Sequence, residues 1–106
     1  TVTLNTATVD SEDPNITVNK TGNDASSEGA GLTVDRTGTK GSLVYANALA
    51  SKFKIGDLAS EAEIATVSHS QTLTNKTISG SSNTITNVSL SLGVTGTLPI
   101  ANGGTG

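Results

Sequence analysis

The chain has 106 residues and a formal net charge of −3, with six basic side chains against nine acidic ones. It carries no Lys/Arg stripe that would displace the counterions of a nucleic acid or attract an anionic membrane, so neither is an expected partner. The sequence contains no Cys, which excludes disulfides and thiolate metal sites. Because no apolar run approaches the roughly 18 residues of a membrane span, membrane insertion is not expected either.

The composition predicts a thin core. Only 33% of the residues are hydrophobic, and Tyr45 and Phe53 are the only aromatic residues. Ser and Thr number 31 against 15 charged residues, a hydroxyl-rich, β-favouring composition typical of fibrous and adhesive proteins. A chain of this size also buries a smaller share of its surface than a larger one does. We therefore expect partner subunits to supply part of its stability.

The first predicted elements are two short strands. Val2 and Leu4 alternate with polar residues within 1–9, a pattern that predicts a short or edge strand. Residues 10–15 are rich in turn formers, and residues 16–18 then predict a brief second strand.

A hairpin is predicted next. Leu32 and Val34 share one face of a strand, and the loop 37–41 that follows has hairpin length and two glycines. Leu43 and Tyr45 are in phase on the returning strand.

A third strand of the same meander is predicted around Phe53 and Ile55. These two residues are expected to point inward, with Lys52 and Lys54 directed outward. Residues 15–56 are thus predicted to form a small antiparallel meander, whose only bulky core is Tyr45, Phe53 and the surrounding Leu, Ile and Val residues.

The segment 57–67 predicts a connector that is either a short helix or extended. Leu58 and Ala62 fall on one helical face, and Ser60 with Glu63 fits a capping box. Beyond residue 68 Lys76 is the only charged side chain, and Ser, Thr, Asn and Gly predominate, so a module boundary is expected within this connector.

An apolar stripe runs through the C-terminal part of the chain. Its members are the aliphatic residues at six even-numbered positions: Val88, Leu90, Leu92, Val94, Leu98 and Ile100. Pro99, Gly93 and Gly96 make the segment a poor interior strand of an ordinary sheet. The preceding residues have few spare apolar side chains to cover the stripe, whereas other copies of the same segment would cover it. Each side chain then contributes about 1.5–3 kcal/mol on full burial, before the entropy of ordering is subtracted.

The C-terminal phrases resemble those of a known family. Three of them carry the likeness: Gln71-Thr-Leu-Thr-Asn-Lys-Thr-Ile78, Asn83-Thr-Ile-Thr-Asn-Val88 and Val94-Thr-Gly-Thr-Leu-Pro-Ile-Ala-Asn-Gly-Gly-Thr-Gly106. They are similar to phrases of bacteriophage tail-fibre and related virion appendage proteins. In that family the last phrase continues into further modules, so the resemblance implies that this chain is part of a longer protein.

The N-terminal part resembles a small β module that often precedes this phrase in phage structural proteins. Gly29-Ala-Gly-Leu-Thr-Val-Asp-Arg36, Leu43-Val-Tyr45 and Phe53-Lys-Ile-Gly-Asp57 carry this second likeness. The resemblance implies an all-β protein, in which a small antiparallel β module is followed by an elongated, intertwined, homotrimeric fibre segment. We assign the β module to 1–56, the connector to 57–70 and the Thr/Ser/Gly-rich stalk to 71–106.

The function expected from this resemblance is structural. It implies a trimeric stalk of a tail fibre or related appendage that supports host attachment, is located on the extracellular virion, and forms its subunit interface with the even-numbered stripe. Its partners would be its own copies, other virion or tail proteins and a host surface receptor. Two alternatives stay open: a receptor-binding or virion-docking module of the fibre, and a fragment of a bacterial surface adhesin.

No catalytic, cofactor-binding or metal site is predicted. His69, the only histidine, could meet its copies on a trimer axis and bind a transition metal, but a surface position in a linker is favoured. The acidic residues of 10–15 lack the spacing of a helix-loop-helix calcium loop, and a solvated turn is favoured there. Gly103-Gly-Thr-Gly106 has no Lys and no following helix, so a flexible turn is favoured over a phosphate loop. Two aromatic residues, both expected in the core, leave no platform for a sugar-cleaving site.

Overall fold

Four antiparallel strands in chain order form the one sheet of residues 1–104, the part of the chain that the computed structural model describes. The strands are β1 Gly31–Val34, β2 Gly41–Tyr45, β3 Phe53–Asp57 and β4 Ala62–Glu63. One helical turn, α1 (Asp24–Ser27), precedes the sheet, and a 3₁₀ turn, Ile100–Asn102, lies near the C terminus. Regular structure is therefore mainly β, as predicted. The chain divides into two units, one spanning Thr1–Thr72 and the other beginning at Leu73.

The sheet contains most of the meander predicted for residues 15–56: its first three strands form, residues 16–18 form no strand, and β4 lies beyond the predicted range. Leu32 lies opposite Leu43, which in turn lies opposite Ile55, and this register places the three side chains in one row across β1, β2 and β3. Before β1, Gly29 and Ala30 together oppose Tyr45: the Gly29 N–H donates to the Tyr45 carbonyl, and the Tyr45 N–H donates to Ala30. With Gly29 at φ 80°, this is the glycine form of the β-bulge.

The helical turn α1 is held by its cap and by one loop residue. Asn23 accepts a hydrogen bond from the Ser26 N–H while the Ser26 hydroxyl accepts one from the Asn23 N–H, forming a capping box. Asn47, in the loop between β2 and β3, donates through Nδ2 to the Asp24 carbonyl at 2.6 Å. Its own N–H donates to Glu28 Oε1 at 2.9 Å. The loop and the turn therefore brace the same end of the sheet.

The prediction that Phe53 and Ile55 point into a core is wrong. The buried face of β2 carries Ser42 and Val44, and both Phe53 and Ile55 are exposed on the other face. Small side chains on the covered face allow the turn after β3 to approach the sheet closely. The opposite face carries larger side chains, and most of them remain exposed.

The connector contains no helix. Leu58–Ser60 forms a turn closed by the Ser60 N–H donating to the Asp57 carbonyl, and Ala59 has a φ of 70°, which a right-handed helix excludes. The chain then returns as β4, so the extended alternative for this segment is the correct one. Lys54, predicted to point outward, is half-buried on the covered face beside Glu61.

The two N-terminal strand predictions are also wrong. Residues 1–9 and 16–18 form no strand, and Val2, Leu4 and Ile16 are exposed. An isolated extended segment needs a partner strand to pair its backbone, and two or three alternating residues give too little burial to hold one in place.

The second unit is built from turns in its described residues. Pro99–Gly104 closes into one turn: the Gly104 N–H donates to the Pro99 carbonyl at 3.0 Å and the Gly103 N–H donates to the Ile100 carbonyl at 3.0 Å. Gly103 has a left-handed φ of 93°. This pairing is the Schellman motif, which ends a helical turn on a glycine, and it gives a local reason for the two adjacent glycines of the C-terminal phrase.

None of the helices in residues 1–104 has the length and apolarity to span a membrane.

Gly31→Ala should destabilise the sheet. A Cβ at this position would lie 2.2 Å from the Leu43 carbonyl oxygen, so β1 has to move away from β2. We expect a loss of about 1–3 kcal/mol, the range of other overpacked sites, measured by urea unfolding followed by circular dichroism. Gly41→Ala is the control, because a Cβ there meets no atom within 4 Å. Equal losses in the two variants would contradict the close approach of β1 and β2.

Candidate functional site

One side of the sheet forms an exposed apolar face. It consists of six side chains from three strands: Leu32, Val34, Leu43, Tyr45, Phe53 and Ile55. Leu32 and Val34 are 60% and 61% exposed. At one end the rings of Tyr45 and Phe53 meet edge to face, with centroids 5.8 Å apart and planes at 87°. Exposed apolar side chains grouped on one face of a small sheet are typical of interaction surfaces.

A groove runs along this apolar face. Gly41 lies opposite Val34 on one side and Asp57 on the other, so the middle strand has no side chain at that row. The resulting open cavity has a volume of about 580 Å³. Arg36 lines it together with the β1 side chains, and Asp57 lines it together with Ile55.

The opposite, covered face is organised around Glu61. The Ser42 hydroxyl donates to the Glu61 carboxylate, whose side chain is only 4% exposed, and Lys54 Nζ lies 3.8 Å from Glu61 Oε1. The Ala59 N–H donates to the same carboxylate at 3.2 Å. The pKa of Glu61 is lowered, mainly by the hydrogen bond from Ser42. Backbone N–H donors and the charge of Lys54 lower it further. These contacts fasten the turn after β3 onto the sheet.

A second carboxylate is held in a related way at the end of β4. The Ser51 N–H donates to Glu63 Oε2 at 3.1 Å, and this hydrogen bond lowers the pKa of Glu63 below its ordinary value. Both carboxylates therefore join β4 and its preceding turn to earlier parts of the chain in their ionised form.

The six residues of the even-numbered stripe do not form a line in a single chain. The Gly93 N–H donates to the Ser89 carbonyl at 2.7 Å, which closes a turn in the middle of the segment. Leu90 and Leu92 are 69% and 91% exposed, Val88 and Ile100 are also exposed, and Val94 and Leu98 are half-buried. No strand forms in this segment of the single chain.

The remaining candidate positions are at the surface. His69 Nδ1 contacts the hydroxyl of Thr66 in a bend, and Gln71 braces that bend by accepting from the Thr66 N–H at 2.8 Å and donating to the Ile64 carbonyl at 3.0 Å. Within residues 1–104, no three His, Cys, Asp or Glu side chains group closely enough to hold a metal ion. Of the candidate glycine loop, Thr105 and Gly106 lie outside the described residues.

The apolar face was missed in the sequence because alternation defines two faces without saying which one is covered. A signal was present in the size difference between the faces of β2. One face carries Ser42 and Val44, and the other carries Leu43 and Tyr45. A loop of the same chain can approach small side chains closely, whereas large side chains keep it further from the sheet.

No protein-family profile, curated protein or solved structure matches this chain.

The ionised form of Glu61 should make folding stability depend on pH. Because the folded-state pKa is lowered, the stabilisation is fully present above the ordinary glutamate pKa and is lost as the pH falls through the lower folded value. Glu61→Gln should therefore reduce the decline in unfolding free energy seen on acidification, with urea unfolding measured at a series of pH values below 5.

The control for this test is Glu12→Gln. Glu12 is exposed and makes no ion pair or side-chain hydrogen bond within residues 1–104. This variant should keep the wild-type dependence on pH. If Glu61→Gln behaves in the same way, the carboxylate does not fasten the turn.

Proposed function

We propose that this chain is a structural segment of a bacteriophage tail fibre or a related virion appendage. In the proposal it assembles as a homotrimer, and its C-terminal part forms an elongated, intertwined stalk that supports attachment to the host. Its partners are its own copies, neighbouring virion or tail proteins, and through them a host surface receptor. No catalytic step, metal or cofactor is part of the proposed role.

The observation that carries the proposal is the imbalance between buried and exposed apolar residues. Within residues 1–104, Val44 and Ala46 are the only buried hydrophobic residues, at 5% and 4% exposure. Eighteen large hydrophobic side chains are exposed. Single exposed hydrophobic residues are common on monomers, but extensive apolar surface on a small domain is typical of an interface. Identical copies supply a matching apolar surface in equal amount.

The proposed stalk uses the even-numbered stripe. On assembly the turn at Ser89–Gly93 opens and the segment becomes extended, which brings the even-numbered side chains to the threefold axis. The intervening hydroxyl residues then face water: Ser89, Ser91, Thr95 and Thr97. Burial of the aliphatic side chains exceeds the contribution of the one backbone hydrogen bond that is given up, which is about 1 kcal/mol.

The phrases of residues 71–106 support the phage assignment among trimeric proteins. They are the part of the sequence that resembles tail fibres. In the last of them, the sequence Leu-Pro-Ile-Ala-Asn-Gly-Gly includes the Schellman turn of Pro99–Gly104, which gives it a structural role. An adhesin of similar composition would share the hydroxyl-rich surface but would not contain these C-terminal sequences.

The test is the mass in solution, measured by light scattering coupled to size exclusion over a range of concentrations. We expect the wild type at three times the 10.5 kDa of one chain. Leu90→Asp combined with Leu92→Asp should dissociate at concentrations at which the wild type is a trimer, because three pairs of carboxylates would meet at the axis.

The matched control is Ser89→Asp with Ser91→Asp. It adds the same charge to the same segment at positions that face water in the proposed stalk, so the trimer should persist. A wild type that is monomeric at every concentration would refute the proposed trimer. Equal behaviour of the two double variants would place the interface elsewhere in the chain.

A further inference from the structure

The groove of the apolar face has walls of opposite charge. Arg36 lies in the loop two residues after the end of β1, and its side chain lines the groove together with Leu32 and Val34 of β1. Asp57 is the last residue of β3 and lines the opposite wall. The apolar floor between them belongs to Leu43 and the bare row at Gly41.

Within residues 1–104 these two charged side chains have no ion-pair or hydrogen-bond partner. The ion pairs within residues 1–104 join Lys40 to Asp35 and Lys54 to Glu61. Neither involves Arg36 or Asp57, and neither of these side chains makes a hydrogen bond in the same part of the chain. A cation on one wall and an anion on the other, both beside exposed aliphatic side chains, form a surface that is complementary to a rotated copy of itself.

We propose that the apolar face is a second subunit interface, occupied by the same face of two further copies. Around a threefold axis, Arg36 of each copy pairs with Asp57 of the next, and the aliphatic side chains between them become a shared core. A closed ring of this kind leaves no charged wall unpaired. The inference rests on the proposed trimer but assigns it an interface in the first unit, independent of the stalk.

The pairing can be tested by cross-linking, because the chain has no cysteine of its own. Neighbouring strands lie about 4.7–4.9 Å apart, so β1 and β3, with β2 between them, are separated by roughly 10 Å. A disulfide requires Cα atoms within about 7 Å. Val34 of β1 and Asp57 of β3 lie opposite Gly41 on its two sides. Val34→Cys combined with Asp57→Cys is therefore unable to form a bond within one copy and can form one only between copies.

We expect the full chain with both substitutions, after mild oxidation, to run on a denaturing non-reducing gel at three times 10.5 kDa. Reductant should return it to the mass of one chain. The control is Thr33→Cys with Asp57→Cys. Thr33 is the neighbour of Val34 on the opposite face of β1 and lies on the covered side of the sheet with Val44 and Glu61, so this variant should stay at the mass of one chain under the same oxidation.

Any of five results would overturn the inference. Covalent dimers without trimers would mean a twofold arrangement, a ladder beyond the trimer would mean an open chain of contacts, and equal yields from the control would mean random collision. If the wild type is trimeric by light scattering and no cross-link forms, the interface at the apolar face is wrong while the proposed stalk stands. A monomeric wild type would refute both the interface at the apolar face and the trimeric stalk.

Discussion

The four-stranded sheet has two faces, and the chain covers one of them. The turn after β3 covers the face with small side chains, where Glu61 accepts from Ser42 and lies beside Lys54. On the other face Leu32, Val34, Phe53 and Ile55 are exposed, and Leu43 and Tyr45 are half-buried. Apolar burial is the main favourable term in folding, and the described part of the chain buries only two hydrophobic residues. In the proposed function, further copies supply the remaining core.

The strands of the meander were predictable because alternation, glycine-containing loops and β-branched residues all agree in residues 29–56. Which of the two faces of the sheet the chain covers was not predictable. It depends on a contact between Ser42 and Glu61, nineteen residues apart, and on the left-handed Ala59 that turns the chain back as β4. Neither the Ser42–Glu61 contact nor the left-handed conformation of Ala59 can be recognised from the neighbouring residues in the sequence. The capping-box pattern of Ser60 and Glu63 suggested a helix, but tertiary hydrogen bonds to the carboxylates overrode that preference.

The candidate surfaces were predictable to different degrees. The even-numbered stripe follows from period-two spacing, and exposed side chains at Leu90 and Leu92 fit a segment whose partner is another molecule. The apolar face was hidden by the same rule that found its strands, because its residues were assigned to a core within the chain. In both places exposed apolar residues are numerous, and the proposed assembly of several copies would bury them.

The central claim is that identical copies cover these surfaces, and native mass spectrometry of mixed isotopes tests it most directly. Unlabelled and nitrogen-15 chains are unfolded together, refolded together and measured intact. The account predicts four trimer masses, with the two mixed species predominating over the two pure ones. Two masses, each that of a single chain, would contradict it, and three masses would show a dimer in place of the trimer.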